Sequence, residues 1–308
     1  MFTPIIIQEG SDYRINSCIG RGGTGIVYLI EDDYGKNYVL KEINLGQLFS
    51  KEEEIRRYIH DFRNMVNTLS KIEVPNISHI LDIHIEDKII EIVSEYVDGM
   101  TLSSYVQMSG TLPVDEVVTI SKPLVDTINV LHMNHIVAND IKPDNIIINK
   151  EGNAIFIDAD SFAEENSINR SISRWYSAPE KTKDDFRVKK EVDYYSIGAC
   201  MYYSLTGKYP PSAFDILYEP DKDNFIELNG MKDVPNRLKQ IIIQLMDKDI
   251  NQRISDCNYI NNELTGILEE YCRNEKQVKN TGSYILYMFL MAIVAITQVL
   301  IYLCIKVI

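Results

Sequence analysis

The sequence predicts an α+β protein in two lobes, a β-rich N-terminal lobe over residues 1–98 and a helical lobe over 99–273. A linker (274–283) and one membrane-spanning helix (284–305) are predicted to follow. Three observations carry this reading. β-like runs separated by turn signals fill the first part of the chain, helical spacings replace them after Thr101, and a 22-residue stretch near the C-terminus holds no charge. Strands gathered ahead of helices, instead of alternating with them, mark an α+β arrangement.

The strand runs fall at 13–19, 26–30, 38–43, 80–85 and 89–94, bounded by turn formers such as Asp32-Asp33-Tyr34-Gly35. One helical pattern interrupts them: Ile55, Ile59, Phe62, Val66, Leu69 and Ile72 recur every three or four residues. The lobes are expected to join near Asp98-Gly99. A helix over 114–133 opens with Pro113 ahead of a first turn holding Asp115 and Glu116, a typical helix start. Further helices are predicted over 192–205, 235–247 and 256–273.

The uncharged stretch 284–305 would cover about 33 Å as a helix, enough for a hydrocarbon core of about 30 Å. Tyr284, Tyr287 and Tyr302 lie toward its ends, where amphipathic rings favour the interface, and Lys306 can snorkel. The alternative, a buried C-terminal helix, sits poorly with the missing polar face. Arg273, Lys276 and Lys279 precede the stretch, so the positive-inside rule assigns the body to the cytoplasm. The expectation is a single-pass tail anchor.

Composition narrows the function. Hydrophobic residues at 45% and charged residues at 25% exclude a disordered or collagen-like chain. A net charge of -14 excludes non-specific nucleic-acid binding, which needs a basic face. The five cysteines are scattered without a CxxC pair, neither a disulfide framework nor a zinc site.

Gly20-Arg21-Gly22-Gly23-Thr24-Gly25-Ile26-Val27 places glycines between two predicted strands. Such a loop either turns a hairpin or lets backbone N–H groups approach phosphate oxygens without side-chain obstruction. A dinucleotide fingerprint is excluded because a strand follows in place of a helix, and a Walker loop because no Gly-Lys-Ser/Thr closes it. Lys41, in the apolar run Val39-Leu40-Lys41, reads singly as an edge-strand charge; after a glycine loop it reads as a charge aimed at a ligand.

The decisive stretch is Ile136-Val137-Ala138-Asn139-Asp140-Ile141-Lys142-Pro143-Asp144-Asn145, with Asp158 beyond it in Ile157-Asp158-Ala159-Asp160. Phosphoryl transfer needs a carboxylate near the attacking hydroxyl, a cation against the moving phosphoryl, and oxygen ligands for Mg²⁺. Asp140, Lys142 and the Asn145/Asp158 pair supply these in that order.

With these motifs the sequence resembles the eukaryotic-like serine/threonine protein kinase family over residues 13–271. Glu95-Tyr96-Val97-Asp98-Gly99 matches its hinge, with Ser94 guarding the adenine pocket; Ala178-Pro179-Glu180, Asp193 and Arg253 match later motifs. The resemblance implies a bilobal kinase fold with ATP between the lobes. Gly20, Gly22, Gly25 and Val27 would lie over the nucleotide, Lys41 on its α/β-phosphates, and Glu95 and Val97 beside the adenine. Asn145 and Asp158 would hold Mg²⁺, and Asp140, assisted by Lys142, would take the proton of a protein hydroxyl. It further implies that Glu180 pairs with Arg253, that Asp193 supports the catalytic loop, and that Ser173 contacts Asp140.

Three departures stand against the pattern. Counting back from Pro75, the helix position that should hold a glutamate for Lys41 is Met65, leaving Asp61 or Glu54 as substitutes or Met65 as core. The usual His-Arg before the aspartate is Ala138-Asn139, which removes the partner of a phosphorylated activation segment. The usual Asp-Phe-Gly is Asp158-Ala159-Asp160, where Asp160 either binds a second cation or faces solvent. The expected function is a membrane-anchored serine/threonine kinase using MgATP, its protein substrate unknown. The alternative is an inactive pseudokinase scaffold at a membrane.

Overall fold

A computed structural model describes residues 5–8, 11–23, 25–168, 171–218 and 231–273. The N-terminal lobe holds β1 (Ile5–Gln8), β2 (Ser11–Gly22), β3 (Gly25–Glu31), β4 (Asn37–Asn44), α1 (Leu45–Leu48), α2 (Glu52–Leu69), β5 (Ile80–Glu86) and β6 (Ile89–Glu95). Its strands form one antiparallel sheet in the order β1-β2-β3-β4-β6-β5, so β4 is central and paired on both sides.

Strand alternation decides what β4 buries. Leu40 turns to one face and joins Ile30 and Val93 in a small cluster. Lys41 and Ile43, one residue after Leu40 and Glu42 respectively, share the opposite face, and Ile43 belongs to the main core. A lysine at position 41 is therefore carried inward by the register itself. Against the main core lies α2, which buries Ile55, Phe62, Met65 and Leu69 along one stripe.

The second lobe comprises β7 (Gly99–Thr101), α3 (Leu102–Ser109), α4 (Val114–Met133), β8 (Ile136–Val137), β9 (Ile146–Asn149), β10 (Ala154–Phe156), β11 (Ala163–Glu164), α5 (Glu191–Thr206), α6 (Ala213–Tyr218), α7 (Asn236–Leu245) and a helix over 257–273. Every residue from Val192 to Leu205 is buried, so α5 is the central post of the lobe. At Gly198 a side chain could not fit, since a Cβ would lie 2.8 Å from the Leu245 Cβ and 2.9 Å from the Met246 Cγ. That glycine lets α7 cross closely. Three small pairings, β7–β9, β9–β10 and β8–β11, hold the loops between α4 and α5 against the inter-lobe face.

Among the described residues no helix is long and apolar enough to cross a membrane. The predicted linker 274–283 and span 284–305 lie outside the described residues.

Candidate active site

The glycine loop is the β2–β3 hairpin, with Gly20 opposite Val27 and Gly22 opposite Gly25. Its glycines are required for different reasons. A Cβ at Gly25 would lie 2.1 Å from the Glu42 carbonyl oxygen, so Gly25 is demanded by the approach of β4. At Gly22 and Gly23 a Cβ would meet nothing within 4 Å. The space beside Gly22 and Gly23 is open, so phosphate oxygens can approach their backbone N–H groups without side-chain obstruction.

Lys41, paired across β4 with Val27 and Ile92, has its side chain 11% exposed. A buried ammonium is tolerated only with charge partners. It has two: it bonds the Asp158 carboxylate and, at 2.8 Å, Asp160 Oδ2. Burial alone would lower the Lys41 pKa, but Asp160 and Asp158 overcome this and hold it above the ordinary lysine value. Burial and the neighbouring Asp160 push the Asp158 carboxyl above its usual range, against the pull of Lys41.

Of the readings left open for the helix position, the core one holds. Met65 is 1% exposed and packs in the core. The α2 residue that senses the lysine cluster is Tyr58, two turns earlier on the same face. Burial raises the Tyr58 pKa, Asp160 and Asp158 raise it further, and Lys41 opposes. Asp61 instead lines a groove with Glu164, Glu165, Ser167 and Arg187. The solvent-facing alternative for Asp160 also falls, since its side chain is 9% exposed and engaged by Lys41.

The loop between β8 and β9 is held from below by Asp193. This fully buried carboxylate accepts the N–H groups of Ala138 (2.9 Å) and Asn139 (2.7 Å), and contacts His132 Nε2 at 2.8 Å. Asn139 adopts φ 65°, a left-handed conformation that asparagine tolerates better than most residues, and it turns the chain toward Asp140. The Asp140 carboxylate is 8% exposed; Lys142 Nζ donates to Oδ2 at 2.6 Å, and the Ser173 hydroxyl donates to Oδ1. Asn145 Nδ2 donates to the Asp140 carbonyl at 2.9 Å and lies 3.5 Å from Asp158 Oδ2. Asp158, at φ 75°, opens a 3-10 turn that presents Asp160 to Lys41.

Asp140, Lys142, Asn145, Asp158 and Lys41 thus form one continuous chain of contacts, although they come from three separate stretches of backbone: the loop before β9, the turn after β10, and β4. Asn145 and Asp158 offer an amide oxygen and carboxylate oxygens, the hard donor set that Mg²⁺ takes. Glu95 ends β6; its carbonyl accepts from Ser78 Oγ at 2.7 Å and its carboxylate contacts His79 Nδ1 at 2.8 Å. Val97 follows, half-buried, in the connection to β7.

Two anchors surround this chain. Arg253 donates to both Glu180 oxygens, at 2.6 and 3.0 Å, and to the Asp247 and Glu191 carbonyls. Lys181 was not singled out in the sequence. It is 4% exposed, donates to the Asn139 carbonyl, and reaches Asn139 Oδ1 at 2.9 Å. A lysine following the Ala178-Pro179-Glu180 motif carries no local sign of burial, and only the folded contact reveals it. Phe162, likewise unpredicted, is buried and stacks on Phe156 with centroids 5.5 Å apart, filling apolar space behind Ala159.

Comparison with known proteins places this geometry in context. The protein kinase domain family matches residues 13–265. A probable serine/threonine-protein kinase of Clostridium perfringens is 27% identical over 273 residues, covering 85% of this chain and 39% of that protein. The serine/threonine-protein kinase PrkC of Bacillus subtilis is 31% identical over 277 residues, covering 86% of this chain and 42% of its own. Calcium-dependent protein kinase 33 of Arabidopsis thaliana is 26% identical over 259 residues, 79% of this chain and 48% of that protein. The chain spans less than half the length of each of these relatives.

Proposed function

The chain belongs to the protein kinase family, and from that premise we propose that it transfers the γ-phosphate of MgATP to serine and threonine hydroxyls of proteins. One observation carries the proposal. The Asp140 carboxylate, held by Lys142 and Ser173, is linked through Asn145 and Asp158 to Lys41 at the open glycine hairpin. In this reading a base, a phosphate-binding cation and oxygen ligands for a metal lie side by side.

In this reading Asp140 accepts the proton of the substrate hydroxyl as that oxygen attacks phosphorus. Lys142 keeps the carboxylate oriented and offsets charge on the moving phosphoryl. Gly20, Gly22 and Gly25 leave the hairpin backbone accessible to the phosphates, Val27 covers the nucleotide, and Lys41 pairs with α/β-phosphate oxygens. Glu95 and Val97 offer backbone groups to the adenine. Asn145 and Asp158 would hold Mg²⁺, which when bound supplies charge neutralisation for the phosphates. Positioning and electrostatics account for most of the acceleration such a site achieves.

The missing helix glutamate and the Ala138-Asn139 pair favour the pseudokinase alternative. Lys41 nevertheless has buried carboxylate partners, and that weighs for the enzyme. We further propose that residues 284–305 anchor the chain in a membrane with the kinase lobes cytoplasmic; the support is the uncharged 22-residue run and its basic flank. Retention of the full chain in the membrane pellet after alkaline carbonate washing tests the anchor, and release into the supernatant contradicts it. The chemistry is tested by supplying γ-labelled MgATP and casein to the full chain and hydrolysing the product. Labelled phosphoserine and phosphothreonine are expected; label in phosphotyrosine alone contradicts the proposal.

A further inference from the structure

A lysine that must hold phosphate oxygens needs a fixed counter-charge, because an ammonium on a four-carbon stem is otherwise free to wander. The inward face of α2 supplies none. It presents Tyr58, Phe62 and Met65 to the core side, while Asp61 lines the groove with Ser167 and Arg187. Among the described residues the carboxylates that bond Lys41 are Asp158 and Asp160.

These two carboxylates are not equivalent. Asp158 also lies beside Asn145, and the two form the oxygen set suited to Mg²⁺. A carboxylate committed to a divalent cation is a weakened partner for the lysine. Asp160 stands on the far side of the 3-10 turn, which Ser161 N–H closes on the Asp158 carbonyl at 2.9 Å. Its Oδ2 is 2.8 Å from Lys41 Nζ, and its side chain is nearly enclosed. A cation entering there would have to displace an ammonium already paired.

Resting on the functional reading above, we propose that Asp160 is the positioning residue for Lys41, replacing a helix carboxylate with one from the loop after β10. The anchor of the nucleotide-binding lysine then sits on the same short turn as Asp158, and the placement of α2 no longer controls it. On α2 the side chain that feels the Asp160, Lys41 and Asp158 charges is Tyr58, partly buried and stacked on Phe62, and the test introduces a carboxylate there.

The test measures affinity for the fluorescent nucleotide mant-ATP with the full chain, so no turnover is required. Asp160→Asn keeps the size and removes the charge; about a fivefold or larger rise in Kd is expected, as for loss of a charge-assisted contact. The Mg²⁺ concentration giving half-maximal binding should stay within about twofold of wild type, because the metal ligands are untouched. Adding Tyr58→Glu to Asp160→Asn should restore most of the affinity, an effect that a merely structural role for Asp160 cannot produce. If Asp160→Asn alone does not fold, a folded and binding double variant still supports the proposal, and a double variant that also fails to fold overturns it. A shifted Mg²⁺ requirement without rescue by Tyr58→Glu would make Asp160 a metal ligand and overturn it as well. An unchanged mant-ATP Kd in Asp160→Asn is equally fatal. Wild-type chain that binds no mant-ATP strikes the nucleotide site itself, a result distinct from all of these.

Discussion

Lys181 holds Asn139 by both of its oxygens, the backbone carbonyl and, at 2.9 Å, the side-chain Oδ1. Asp193 holds the Asn139 N–H from the other side at 2.7 Å. The residue immediately before Asp140 is therefore clamped by a buried cation and a buried anion. The cation comes from the segment just after Ala178-Pro179-Glu180, so the end of the activation segment and the catalytic loop are tied together without a phosphate.

The clamp has a pH signature. Burial lowers the Lys181 amine to about 8, against the pull of Asp140, Asp193 and Glu180. In the unfolded chain it titrates near 10.5. Between those values the unfolded state binds more protons, so stability rises with pH there; below about 8 the cost of burying the charge is fully present. Urea unfolding of wild type and Lys181→Met across this range should give a wild-type stability that climbs relative to the variant. Parallel curves would contradict the assignment.

Activation is expected to be independent of a phosphate on Ser167. That serine borders a groove whose two arginines, Arg57 and Arg187, are outnumbered by Asp61, Glu164 and Glu165. A phosphate there would meet more repulsion than attraction. Ser167→Ala should keep kinase activity within about twofold of wild type, like most changes away from a structural or catalytic contact. Ser173→Ala should lose about tenfold or more, since it removes a hydrogen bond to the Asp140 carboxylate. Initial rates with casein and MgATP check both; equal losses at the two positions would contradict the distinction.

Glu180 and Arg253 form a bidentate pair in which the Arg253 side chain has no exposure. Removing one partner leaves a charge buried alone, so Glu180→Ala should destabilise the fold by about 3–5 kcal/mol. Its midpoint in urea should fall well below that of wild type. Arg253→Ala in the Glu180→Ala background should add less than its single effect, because the stranded charge goes with it. Full additivity in the double variant would contradict the coupling.

The large elements were legible because their patterns are periodic. The run predicted over 38–43 lies within β4, that over 89–94 within β6, and the helix over 114–133 coincides with α4. Three-residue strands such as β7 and β10 are too short to carry an alternation, and α3, though capped by Thr101 and Gly110, is only eight residues long and shows little more than two turns of spacing. The motif residues around Asp140 were readable because they lie close together in sequence. Partners of the lysine were not, since Lys41 and Asp158 stand 117 residues apart. Counting back from Pro75 pointed to Met65 because α2 ends at Leu69 and the turn over 70–75 lengthens the connection. The α2 side chain that feels the Lys41 charge is Tyr58, seven residues before Met65. Lys181 shows the converse: its burial is fixed by the shape of the catalytic loop, not by its neighbours in sequence.

Asp140 is the point on which the whole assignment turns, and its replacement by asparagine keeps the shape while removing the base. The direct measurement is the rate at which full-length wild type and Asp140→Asn transfer labelled phosphate from MgATP to casein, with mant-ATP affinity recorded alongside. A fall in rate of about 10²–10⁴-fold, the usual contribution of a positioned base, is expected with nucleotide affinity unchanged. Equal phosphate transfer by the two proteins would contradict the account.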